Sequence, residues 1–202
     1  MKPFLRFLAL ALLLTSCAGG EEGRGPSLLE ARDFAITEVI GSDWIGNRFD
    51  FLLLIDAPVK PESALYHSRG QESSAIEKLS KLIPEVPEAL LQEFLSESRV
   101  SHIKQAPSSN SIIQVVQKSQ IDQEFDEAEG LPGPFWERFK EVRPKCAGIV
   151  KTSRVAYSHD LSQALIYLDW RCGGRCGTGN LVWLEFENDS WKILENRVTW
   201  IS

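Results

Sequence analysis

The spacing of hydrophobic positions changes along this chain, and the changes mark out its elements. Leu28, Leu29, Ala31, Ala35, Ile36, Val39 and Ile40 recur at helical intervals. Ser27-Leu28-Leu29-Glu30, following Pro26, has the form of a capping box. Gly41 offers a C-terminal stop, so a helix is expected over about 28–40. Phe49 to Ile55 is a nearly continuous apolar run ended by Asp56-Ala57-Pro58, which suits a strand buried on both faces. A second capping box, Ser74-Ala75-Ile76-Glu77, opens a helix carried by Ile76, Leu79, Leu82 and Ile83 and stopped by Pro84. Pro87 suits the first turn of the next helix, whose apolar stripe is Leu90, Leu91, Phe94 and Leu95. Ile112 to Val116 favours a strand through its β-branched residues. Gly133-Pro134 begins another helix, with Phe135, Trp136, Phe139 and Val142 inward, that ends at Pro144.

From Ile149 the period becomes two. Ala164, Ile166, Leu168 and Trp170 alternate with Leu165, Tyr167, Asp169 and Arg171, and four strands are expected near 148–157, 163–171, 180–187 and 191–201. Asn188-Asp189 is a tight-turn signal between the last two. Helices first and strands last predict an α+β fold. In it, N-terminal helices pack on an antiparallel sheet dominated by a C-terminal four-strand meander. The expected organisation is a single globular domain over 27–202.

The first residues follow another pattern. Lys2 and Arg6 precede an unbroken apolar run from Phe7 to Leu14, which meets Thr15, Ser16 and Cys17. Positive charge, a short apolar core and small residues are the marks of a secretory signal, and the run is too short for a membrane helix of about 20 residues. Leu14-Thr15-Ser16-Cys17 resembles the lipobox of bacterial lipoproteins. That resemblance implies a signal peptide over 1–16, acyl transfer to the Cys17 thiol, and cleavage before it. Ala18 to Pro26, glycine-rich and charged, then reads as a tether, so that 17–26 comprises the lipidated cysteine and a spacer. The implied partner is a lipid bilayer, held through acylated Cys17, and the implied location is the cell envelope. Ala18 stands where Asp would hold a lipoprotein at the inner membrane. In a cell with two membranes, the resemblance therefore implies the outer membrane, facing the periplasm.

Charge narrows the partners further. The formal charge is −6 for all 202 residues, and loss of Lys2 and Arg6 takes it to −8. An acidic surface repels nucleic acid and anionic lipid, so no nucleic-acid partner is expected, and the anchor must be the lipid itself. The expected partner is a protein or a small-molecule ligand, with no cofactor.

Arg171-Cys172-Gly173-Gly174-Arg175-Cys176-Gly177-Thr178-Gly179 is the segment richest in chemistry. Cys172 and Cys176 flank a short loop and can come within disulfide range, which export would favour. Cys146 is then left over as a buried thiol, or it replaces one of the two as a partner. Three other readings use the same residues. The cysteines could exchange thiols beside Arg171 and Arg175. Cys146, Cys172, Cys176 and His159 could together ligate zinc. Arg171, Gly173, Gly174, Arg175 and Gly177 could form a loop for an anion or another ligand. The spacing is neither CxxC nor a P-loop, and no metal site is expected. Ser158-His159-Asp160 lacks a nucleophile elbow and reads as a polar turn. Glu124, Asp126, Glu127 and Glu129 read as a solvated acidic face. Trp183, Trp191 and Trp200 are expected in sheet packing, or as a ligand platform if they share an exposed face.

Trp136, Ala164 to Leu168, Cys172 to Gly179, Trp191-Lys192-Ile193 and Thr199 to Ser202 are similar to features of an uncharacterised bacterial family. The likeness runs from Phe135 to Ser202 and implies a shared fold without an activity. With no catalytic constellation, the sequence points to a non-catalytic binding or envelope module. The competing expectation is a thiol-redox or metal-dependent enzyme built on Cys172 and Cys176.

Overall fold

A computed structural model describes residues 28–45, 49–57, 59–65, 74–96, 112–125 and 132–202. The segments expected as signal (1–16) and tether (17–26), with Cys17, and Ser27, Asp126, Glu127, Glu129 and the side chain of Glu124 lie outside the described residues.

The chain forms α1 (Leu28–Ile45), β1 (Phe51–Ile55), a short 3₁₀ helix (Pro61–Leu65), α2 (Ala75–Leu82) and α3 (Glu88–Leu95). It continues with β2 (Ile113–Val116), α4 (Lys118–Phe125), α5 (Pro132–Val142), β3 (Cys146–Thr152), β4 (Ala156–Tyr157), β5 (Gln163–Gly173), β6 (Cys176–Glu187) and β7 (Ser190–Ile201). These make an α+β domain with helices mainly early and strands mainly late. The seven strands form one sheet in the order β2-β1-β3-β5-β6-β7, with β4 pairing β5 beyond the end of β3.

The β3-β5-β6-β7 part is the antiparallel meander that the alternating pattern predicts. The sheet as a whole is mixed. β1 lies between β2 and β3 and is parallel to both. Parallel neighbours need long crossovers, which here carry α2 with α3 and α4 with α5. Burial from both sides explains the unbroken run in β1. Leu52 and Leu54 join the core beneath α1, while Leu53 and Ile55 face Ile121 of α4 and Phe139 of α5.

The two sheet faces are covered differently. α1 crosses one face over Ala164, Ile166, Leu168, Val182 and Leu184. The opposite face is shared: α2 and α3 cover Leu165, Tyr167 and Leu181, and α4 with α5 cover the β1–β3 end. The alternation along β5 therefore separates two cores.

Three expectations require correction. α1 continues through Gly41 to Ile45. Gly41 is buried against the sheet, where an added Cβ would lie 2.7 Å from Cδ1 of Ile113, so it serves close packing and not termination. Val142, expected inward, is 52 % exposed at the end of α5. The strand expected over 148–157 is interrupted at Ser153–Val155. There Ser153 Oγ accepts the Tyr167 N–H at 3.0 Å. Arg154, only 7 % exposed, donates to the Glu93 carbonyl, to Glu93 Oε1 at 3.2 Å and to Ser96 Oγ at 3.0 Å. Ser153 keeps one backbone bond to β5, its N–H donating to the Tyr167 carbonyl at 2.8 Å, and the chain then leaves the ladder while the Arg154 guanidinium caps the C-terminal carbonyl end of α3.

Candidate functional site

β5 and β6 meet at the loop singled out by sequence. Gly173 pairs with Cys176, leaving Gly174 and Arg175 as the turn. Cys172 and Cys176 form a disulfide across it, their Cα atoms 5.1 Å apart. Cys146 is a buried free thiol whose Sγ donates to the Gly148 carbonyl at 3.3 Å. Burial pushes this thiol's pKa up, which suppresses the nucleophilic thiolate. Pairing of Cys146 with Cys172 or Cys176 is thus replaced by the local bond. Among the described residues, no three His, Cys, Asp or Glu side chains are grouped to hold a metal ion.

The loop glycines work differently from the expectation. None of Gly173, Gly174, Gly177 and Gly179 adopts a positive φ, so the loop does not form the αR–αL nest that cradles anions. Gly177 and Gly179 instead make room for Trp200 of β7. An added Cβ on Gly177 would meet the Trp170 carbonyl oxygen at 2.9 Å and the Trp200 ring at 3.3 Å, and one on Gly179 would collide with the Trp200 indole nitrogen. The indole donates to the Tyr167 hydroxyl at 2.7 Å. Arg171 lies 5.2 Å from the same ring and donates from Nε to Asp169 Oδ1 at 2.9 Å. That bond raises the pKa of Arg171 further. Arg171 is therefore a stacked, paired cation and Arg175 an exposed one at the tip.

The three tryptophans do not all share a face. Trp191 is buried with Tyr157 and Phe186 under α1. Trp183 packs on the core beneath α2 and α3, the side from which Trp200 reaches Tyr167. At the β4–β5 turn, Asp160 accepts from Ser158 Oγ at 2.6 Å and from Ser162 N and Oγ. These bonds lower its pKa to about 2. The serine is thus bound to the aspartate, and exposed His159 takes no part in the turn's hydrogen bonds.

Recesses lined by described residues include two of different character. One, of about 360 Å³, lies between α3 and the β4–β5 turn, against Leu90, Glu93, Tyr157 and His159. Its Glu93 is tied to Arg154. The other, of about 200 Å³, opens where α4 and α5 meet the sheet. Its walls are Ile55, Ile121, Phe135, Trp136 and Ile149, and Lys118, Asp122, Lys151 and Arg171 stand at its mouth. Phe135 and Trp136 meet edge to face with centroids 5.1 Å apart. Ile149 and Arg171 are cross-strand partners, as are Lys151 and Asp169. Sequence reasoning singled out Arg171 but missed this cleft, because its lining comes from five separate elements.

No family model, curated protein or solved structure matches this chain.

Proposed function

We propose that this chain is an exported bacterial lipoprotein, anchored in the cell envelope through acylated Cys17, whose domain binds a ligand or partner protein without catalysis. In a cell with two membranes, Ala18 directs it to the outer membrane, facing the periplasm. The supporting observation is the way the cysteines divide. Cys172 and Cys176 close on each other, Cys146 is a buried thiol, and Cys17 ends the lipobox-like Leu14-Thr15-Ser16-Cys17. A local disulfide suits an oxidising compartment, and acyl chains supply the membrane affinity that an acidic surface lacks. No helix among the described residues is long and apolar enough to cross a membrane.

Radiolabelled palmitate and mass spectrometry of the mature N-terminus test the anchor. Wild type should take up label and begin at a diacylglyceryl-modified Cys17, and Cys17→Ala should take up none. An unmodified N-terminus with the protein recovered from cytosol overturns the proposal. A disulfide that resists a glutathione buffer supports the structural role of Cys172–Cys176, and one that cycles with it supports a redox enzyme.

A further inference from the structure

The geometry points to a specific ligand class for the smaller cleft: a single carboxylate on a compact apolar body, seated on Phe135 and Trp136 with its charge at Lys151. This rests on the binding-module proposal above and not on lipid attachment.

The first argument is charge balance. Lys118 Nζ pairs with Asp122 at 2.6 Å, and Arg171 pairs with Asp169 at 2.9 Å. Lys151 forms no hydrogen bond or ion pair among the described residues, although its cross-strand neighbour is Asp169. Asp169 is instead bound by Arg171 Nε and Nη2. One cation at the mouth is thus left uncompensated, in a chain whose formal charge is −6. It calls for one negative charge.

The second argument is the interior. Beneath the charges the walls are aliphatic and aromatic, which favours an apolar body. At about 200 Å³ the cleft is smaller than the roughly 300–1,000 Å³ of drug-sized sites, so it fits a short alkyl chain or a single ring. The aliphatic stem of Lys151 can line that wall while its ammonium reaches the carboxylate. Ile149 and Lys151 share one strand face, fixing the spacing between apolar floor and charge.

Isothermal titration of the full chain bearing Cys17→Ser, which has no attached acyl chain to compete, tests this with octanoate and its uncharged counterpart octanamide. Octanoate should bind at least about tenfold more tightly than octanamide, as expected for one hydrogen bond between charged groups. Lys151→Met should abolish that preference and leave octanamide binding unchanged. Lys151→Arg should keep the preference, and Lys60→Met, at an exposed site outside the cleft, should have no effect. Absence of octanoate binding, equal affinity for the two probes, or full octanoate affinity in Lys151→Met overturns the inference. Failure here with palmitate labelling intact removes the ligand and leaves the anchor. Loss of labelling with octanoate binding intact does the reverse.

Discussion

A Cβ on Gly179 would lie 2.6 Å from the Tyr167 hydroxyl as well as colliding with the Trp200 indole. Gly179→Ala must therefore displace the indole and break its bond to Tyr167, at a cost of about 1–3 kcal/mol, read as a lowered urea midpoint. The sequence shows Gly179 clearly, but its cause is a tryptophan on the next strand, which local spacing cannot reveal. The same holds for Asp33, which is 2 % exposed and accepts from the Tyr157 hydroxyl at 2.6 Å. Burial, then the Asp33 charge, pushes that phenol well above its usual range, so it remains the donor. Tyr157→Phe should cost about 1.5–3 kcal/mol by removing a hydrogen bond to a charged group. At the β4–β5 turn, the Asp160 pKa falls from an ordinary 3.8 to about 2. A depressed folded pKa stabilises above the unfolded value and loses that contribution as pH falls through the folded one. Asp160→Asn should therefore flatten the stability profile between about pH 4 and pH 2, as followed by acid titration of the circular dichroism signal.

Among elements, the β6–β7 hairpin is the one whose chemistry the sequence predicts most directly. Asn188 and Asp189 take φ values of 52° and 60°, as a type I′ turn requires. Asp tolerates that region less well than glycine, so Asp189→Gly should stabilise the protein by about 0.5–1 kcal/mol, seen as a higher thermal midpoint. The helices were legible where proline or a serine cap marks their ends. Ser74 accepts the Glu77 N–H at 3.2 Å, as its capping box predicts, and α2 ends before Pro84. α1 ran past its predicted end because Gly41 has two physical uses, stopping a helix or allowing close approach, and only the position of Ile113 decides between them.

Over the whole molecule, the class and the meander followed from periodicity, while the parallel half did not. An unbroken apolar run in β1 signals burial on both faces but carries no strand order. The cleft was illegible for the same reason: α4, α5, β1, β3 and β5 contribute its walls from positions 55 to 171. The disulfide was legible because it is local. In the chain-entropy description, a bond closing so small a loop contributes about 2 kcal/mol. Removing it in Cys172→Ser/Cys176→Ser should lower the melting temperature by roughly 4–8 °C for a domain of this size, as measured by calorimetry. Wild type under reductant should shift similarly.

β1 has one more consequence, which concerns time. It is made early in synthesis, yet both its neighbours come later: Leu52 lies beside Ile113 and Leu53 beside Ile149. The β5–β6 and β6–β7 hairpins join residues close in the chain and close their loops at small entropic cost. Assembly should thus run backwards relative to translation, with the last-made ribbon ordering first and the earlier strand slotting into a gap between segments still to be joined. Pulse-labelled amide exchange during refolding should protect Leu181 and Val182 before Leu53 and Leu54. A nascent chain halted before residue 146 would keep the β1 edge that pairs with β3 open, its unpaired backbone N–H and C=O groups a binding surface for chaperones.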